Sequence, residues 1–542
     1  MTTTVSPARG RTGSRPASSH LTGTGAMVRL ALRRDRIKLT LWLVAITALV
    51  PRFYYAAVNA VVPTPEALAE ASQMIRVSFM RVLGGPLFGE VTTQSYFLAA
   101  YWVEFLLAAA IMNVMLVTRH TRAEEQTGRA ELVRAAVVGR HAQLTGALIV
   151  AVIGNAALAV LTTAATISIG FPTGSALLFG ASLAAVGLLF AGVTAVTVQV
   201  TEHPRGANGL AGIVLFVVWL LRGAGALQSQ EGGTLFWLSP IGWSQQTRVL
   251  ADERWWPLGL SVLLAGLLVA GAYTLASHRD LGASLMAPRP GRASAPSWLR
   301  SSFTLALRLQ QGAILGWGAA FLAIGLVLGG MTGGMEQTDL PIFSADADFG
   351  RAWISLMVFT GSLYTGVFAV LSVVRLRAEE VRGRIDPVLA GPTGRSTWYW
   401  SSLLVTALAV VVLPVVYGTA LGVGAALSTG EPGLVGEVAW SSLVRAPEVL
   451  VLLAVPAALL GLAPRAMGAV AWAVLVYSGF MQVLGSYMNL PGWLVDTSVL
   501  SHLPWHPLGS FAPVATVVLT ALAAVLATLG LYGLRRRDLA AG

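Results

Sequence analysis

Ionisable side chains are scarce in this sequence, so the places where they gather are where chemistry can be done. The densest gathering occurs twice. Residues 122–140 read RAEEQTGRAELVRAAVVGR, and residues 377–395 read RAEEVRGRIDPVLAGPTGR. Ten of the 19 aligned positions are identical without a gap, against roughly two expected for unrelated windows of such composition. Arg122, Glu124, Glu125, Gly128, Arg129 and Arg140 recur as Arg377, Glu379, Glu380, Gly383, Arg384 and Arg395, and Glu131 has Asp386 opposite it. No constellation for nucleophilic or acid–base catalysis emerges from these groups. Either segment alone reads as a solvated surface. Two copies, with paired glutamates and a glycine at fixed offsets, suit two copies of one soluble partner.

Other ionisable groups interrupt apolar runs. Glu104 and Arg222 lie where a membrane span is expected, and charges there are costly and usually face the protein interior. They form either a substrate or proton path, with Gln482 beside it, or a structural ion pair, unless Arg222 snorkels to the outer interface. The duplicate positions hold Phe359 and Gln482, so neither charge is repeated. Arg445 and Glu448 stand three apart and should pair locally. His502 and His506 have helical metal-ligand spacing, but Pro504 between them argues against a shared helix face. With no cysteine, thiolate sites are excluded. The single lysine, Lys38, is followed by Leu39, so a phosphate-binding P-loop, which needs Gly-Lys-Ser/Thr, cannot form.

The elements that carry these residues must sit in lipid. Of 542 residues, 55% are hydrophobic and only 11% charged, with mean hydropathy +0.70; a soluble chain carries about 25% charged residues. Twelve apolar runs, each near the roughly 20 residues needed to span, fall at 37–57, 95–117, 144–169, 175–200, 210–227, 257–277, 314–331, 353–374, 399–427, 444–462, 468–484 and 512–531. Pro456 and Pro464 interrupt the tenth and eleventh. Placing both termini and the loops after even-numbered spans in the cytoplasm puts 28 of the 36 Lys and Arg inside, as the positive-inside rule requires. The net charge of +11 then serves topology and anionic lipid, not nucleic acid.

The repeat extends beyond the loops. LALR at 30–33 recurs at 305–308, followed in turn by Trp42 and Trp317, and Arg-Asp-Leu at 279–281 recurs at 537–539. Six spans per copy give both halves one orientation, related by an axis along the membrane normal with a central seam. The expected organisation is a disordered cytoplasmic tail at 1–26, a first six-helix domain at 27–282, a linker at 283–302 and a second six-helix domain at 303–542.

The loop pattern resembles that of ABC-2 type permeases, and among them the duplicated actinobacterial branch of exporters of polyketide antibiotics. That pattern is an acidic run, Gly-x-x-Glu-Leu, then Pro-x-x-Arg before the third helix. The first copy matches at Glu124, Glu125, Gly128, Glu131, Leu132 and Arg140, with Val137 in place of proline. The second matches at Glu379, Glu380, Gly383, Pro392 and Arg395, with Asp386 and Pro387 in place of Glu-Leu. Pro387 should leave a shorter or kinked helix there.

The resemblance implies an all-α polytopic membrane protein of about twelve helices, in two tandem halves like those of type V exporters. It implies elbow helices at 27–36 and 303–311, and short re-entrant helices within 235–256 beneath an outer belt of Trp237, Trp243, Trp255 and Trp256. The counterpart at 502–511 is poorly matched. It implies two copies of an ATP-binding cassette ATPase on the coupling loops, with ATP and magnesium held there and no cofactor on this chain. The implied cargo is hydrophobic or amphipathic, such as antibiotics, other drugs or lipids, moved outward across a bacterial plasma membrane. This would make the chain a transport subunit rather than an enzyme. A major-facilitator transporter would instead carry Gly-x-x-x-Asp-Arg-x-Gly-Arg-Arg after span two, and a lipid-linked membrane enzyme would need a large outer domain.

Overall fold

The computed structural model describes residues 20–56, 58, 62–76, 78–126, 138–278, 294–333, 349–484, 490–504 and 511–538. It divides into two compact units, Met1–Gly291 and Arg292–Gly542. In lipid every backbone N–H must be satisfied within its own segment, so long apolar runs become long helices. Among the described residues, eleven helices are long and apolar enough to cross a membrane. The eleventh expected span is the exception; its helix is shorter.

The first unit contains α1 (Thr24–Ala56), α2 (Pro65–Arg76), α3 (Ser78–Leu83), α4 (Thr93–His120), α5 (Arg122–Gln126), α6 (Ala142–Ser168), α7 (Thr173–Val200), α8 (Pro204–Gln228), α9 (Thr234–Trp237), α10 (Pro240–Gln245) and α11 (Trp256–Ser277). The central helix is α7, packed against α4, α6 and α11. The expected elbow is not a separate helix. No glycine or proline falls between Met27 and Val50 to part an elbow from the span, and α1, which carries Pro51 near its end, runs for 33 residues. Helix also begins inside the expected tail, at Thr24, while residues 1–19 lie outside the described ones. The segment before α1 is tied down by Gly139 N–H donating to the Thr22 carbonyl (2.8 Å) and His141 N–H to that of His20 (3.0 Å). Two short helices, α9 and α10, occupy the stretch where re-entrant helices are expected. Trp237 stacks on Trp256 with centroids 5.2 Å apart.

The second unit contains α12 (Ser302–Gly330), α13 (Phe349–Val381), α14 (Asp386–Leu389), α15 (Arg395–Thr429), α16 (Leu434–Val444), α17 (Ala446–Leu462), α18 (Met467–Leu484), α19 (Gly492–Val495), a 3-10 turn (Val499–Ser501) and α20 (Pro513–Arg536). As in the first unit, the opening helix runs straight into its span. Small residues let α12 lie directly on α15: a Cβ on Gly325 would come within 2.7 Å of the Tyr417 carbonyl oxygen. The tenth span starts earlier than its apolar core suggests, at Leu434, and is broken at Arg445. Pro447 has no N–H to continue the ladder. Pro464 sits in the turn before α18, whose 18 described residues match the expected span.

Candidate functional site

At the charged end of each unit, the duplicated loop is pinned to its own bundle. In the first unit Arg122 is 1% exposed; its Nε donates to the Val198 carbonyl (2.5 Å) and its Nη1 to Glu125 Oε2 (2.6 Å). Glu124 pairs with Arg34 of α1. Where the chain returns to α6, Arg140 Nη2 donates to the carbonyls of Ala276 (3.2 Å) and Ser277 (2.8 Å), satisfying the open C-terminal end of α11. Gly128, Arg129 and Glu131 lie outside the described residues.

The second unit repeats the scheme. Arg377 Nη1 lies 2.9 Å from Glu380 Oε2. Glu380 is fully buried and also accepts from Arg537, Nη1 to Oε1 at 2.6 Å and Nη2 to Oε2 at 2.7 Å. Arg395 Nη1 donates to the Arg537 carbonyl at the end of α20 (2.9 Å). Gly383 has φ +64°, a left-handed conformation that disfavours a Cβ. Its N–H donates to the Glu380 carbonyl, and that of Arg384 to the Glu379 carbonyl, both at 3.0 Å. That is a Schellman cap ending α13. The single-turn α14 follows, with Pro387 in its first turn, in keeping with the short helix expected there. Outward from this frame stand Val381, Arg382, Arg384 and Asp386, all exposed.

Among the described residues the two loops differ at their first glutamate. Glu379 pairs within its own helix, accepting from Arg375 Nε at 2.9 Å, because the counterpart of Arg34 is Leu309. Only the first loop is pinned to the opening helix through this glutamate.

Among the intramembrane groups, Arg222 is wholly buried and acts as a cap. Its Nη1 donates to the Arg81 carbonyl (3.4 Å) and Gln245 Oε1 (3.3 Å), and its Nη2 to the carbonyls of Val82 and Leu83, the latter at 3.1 Å. These are the carbonyls at the C-terminal end of α3, where a cation is favoured. Arg81 Nε in turn donates to the Ala226 carbonyl on α8 (3.2 Å). Among the described residues no ion pair joins Arg222 to Glu104. Glu104 is exposed, between buried Val103 and Phe105. Gln482 is half-buried near the end of α18.

The expected Arg445–Glu448 pair is present, buried, at 2.8 Å. Arg445 also donates to the carbonyls of Pro504 (3.2 Å) and Leu500 (3.1 Å), and its guanidinium lies 5.4 Å from the centre of the Phe359 ring. Each unit therefore fastens one peripheral segment with a buried arginine, at unrelated sequence positions. His506 lies outside the described residues.

Two clusters escaped the sequence reading. Asn113 and Asn155 form a reciprocal amide pair between α4 and α6, with Nδ2 to Oδ1 at 3.1 and 2.7 Å. Asp35 on α1 meets the end of α4, with His120 Nε2 at 2.6 Å and Arg119 Nη1 at 2.7 Å. An aspartate in an arginine-rich flank gives little sign of burial, and isolated asparagines carry no spacing signal.

A family model described as the C-terminal domain of the multidrug efflux system permease Rv1217c matches residues 25–275 and 299–535. The multidrug efflux system permease protein Rv1217c of Mycobacterium tuberculosis is 34% identical over 531 residues, covering 96% of this chain and 96% of its own length. With a match of that extent on a bundle of membrane-spanning helices, the chain belongs to the Rv1217c family of multidrug efflux permeases.

Proposed function

We propose that the chain is the membrane permease of an ABC-2 type exporter that moves hydrophobic or amphipathic drugs out of the cell. A separate pair of ATP-binding cassette subunits, holding ATP and magnesium, docks on the two charged loops at the cytoplasmic face. Family membership supports the efflux role. The observation that carries the coupling mechanism is the shared anchoring of the loops. In each unit a glutamate (Glu125, Glu380) holds the first loop arginine (Arg122, Arg377), and the closing arginine (Arg140, Arg395) grips the end of that unit's last helix.

A loop held this way passes a push to its helices instead of folding away. The repeated carboxylates of the sequence pattern then act as fasteners, while outward groups such as Arg384 and Asp386 meet the ATPase. Glu104, exposed on α4, is the charge left to face cargo.

The test is co-expression with a cassette ATPase encoded beside this chain, reading vanadate-sensitive drug transport in inverted vesicles. Charge reversal at Arg384→Glu with Asp386→Lys should release the ATPase while the permease still folds. Transport that persists without any ATPase and collapses with the proton gradient would refute the reading.

A further inference from the structure

A cavity of about 230 Å3 opens in the first unit between α1, α4 and the start of α8. Its lining changes character with depth. At the charged end lie Asp35, Lys38, Arg119 and Asn208; further in lie Trp42, Met112 and Met115. From Asp35 to Trp42 is about 10 Å along α1, at 1.5 Å per residue. A charged mouth above an apolar, sulfur- and indole-lined pocket has the shape of an amphiphile with one polar end.

The sign of that polar end follows from the charges. Asp35 is 3% exposed, and its carboxylate is already met by His120 and Arg119. Lys38 is exposed and has no ion-pair partner among the described residues. Pro204, the first residue of the 25-residue α8, also lines the cavity. His203, the residue before it, makes no side-chain capping bond. A long helix presents its positive end there. An unpaired ammonium beside a helix N-terminus favours an anion. Met115, half-exposed at 51%, is soft and unbranched, so it adapts to varied apolar tails.

The duplicate half keeps the tryptophan, and has Pro464 opposite Pro204, but loses the charged groups and the methionines. Asp35, Lys38 and Arg119 become Gln310, Ala313 and Val374, and both methionines become valine (Val367, Val370). Gln310 turns to α15, donating to the Ser402 carbonyl (3.2 Å) and accepting from Thr406 (2.9 Å). A lysine kept merely for topology would not need a cavity beside it, and arginines 33, 34 and 36 already serve that end.

We propose that this cavity binds an anionic amphiphile, its acidic head on Lys38 and Arg119 and its apolar body against Trp42, Met112 and Met115. The site exists in the first half only. On the orientation proposed above it opens at the cytoplasmic leaflet, where cargo or an acidic phospholipid would reach it. Binding itself does not depend on the ATPase reading, so either can fail alone.

Because Lys38 is the only lysine, its modification by sulfo-NHS acetate reports the site directly. The full chain in phosphatidylcholine nanodiscs is titrated with dodecyl phosphate, and the Lys38 peptide is followed by mass spectrometry. Modification should slow about tenfold when the amphiphile stands near ten times its Kd. Inorganic phosphate and dodecyltrimethylammonium should leave the rate unchanged. Met115→Trp, which fills the cavity from an exposed position, should abolish the protection, and Arg119→Gln should weaken it. Nanodiscs of phosphatidylglycerol separate the sources: slow modification before any addition identifies a resident phospholipid, and fast modification identifies a single-chain, cargo-like ligand. The proposal is overturned if dodecyl phosphate gives no protection, if the cationic amphiphile protects equally, or if protection survives in Met115→Trp.

Discussion

Replacing Glu380 by alanine removes the acceptor of three ion-pair contacts at 2.6, 2.7 and 2.9 Å from two arginines. Breaking a buried pair from one side costs about 3–5 kcal/mol, because the remaining charge is stranded. Arg537 and Arg377 keep 17% and 21% exposure, so water recovers part of that, leaving about 2–3 kcal/mol. Glu379, one residue earlier, makes a single i,i+4 contact to Arg375 at 18% exposure, worth about 0.3–0.5 kcal/mol. Glu380→Ala should therefore lower the thermal midpoint of the detergent-solubilised chain severalfold more than Glu379→Ala, read by fluorescence-detected size exclusion after heating. Glu380→Gln, which keeps hydrogen-bond acceptance and loses charge, should fall between. Arg537→Ala combined with Glu380→Ala should add little to Glu380→Ala alone, since losing Glu380 already removes the Arg537 pair, but should exceed Arg537→Ala alone, which leaves the Arg377 contact in place. Equal midpoints for Glu380→Ala and Glu379→Ala would refute the view that the inner glutamate fastens the loop to α20.

The amide pair between α4 and α6 should behave as a unit. Asn113→Ala or Asn155→Ala should each destabilise by about 0.5–2 kcal/mol, with the double variant close to either single one, measured by the same melting assay. On α12, Gly329→Ala places a methyl against the Leu421 carbonyl, whereas at Gly330 nothing lies within 4 Å. The first should cost about 1–3 kcal/mol through helix separation, and the second should be neutral or mildly stabilising.

The identity of the elements was legible because lipid leaves the chain few choices. Apolar length alone locates the spans. The boundaries were less legible. The charged stretch before Ile37 reads as an interfacial helix of its own, yet without a glycine or proline nothing ends α1 there. The tenth span carries its break at Arg445, where Pro447 interrupts the ladder.

By itself the sequence determined the all-helical membrane class, the repeated charged loops and the impossibility of a P-loop on this chain. Each follows from composition or from identity at fixed spacing, which need no third dimension. Only the tertiary structure decided which way the charges point. The spacing of Glu124, Glu125, Glu379 and Glu380 is as compatible with an outward docking face as with inward fasteners. Their partners, Arg34 and Arg537, lie 90 and 157 residues away in the chain from Glu124 and Glu380. The same holds for Arg222, whose partners are carbonyls some 140 residues earlier; a backbone acceptor has no letter in the sequence, so such a cap is visible only once the chain has folded.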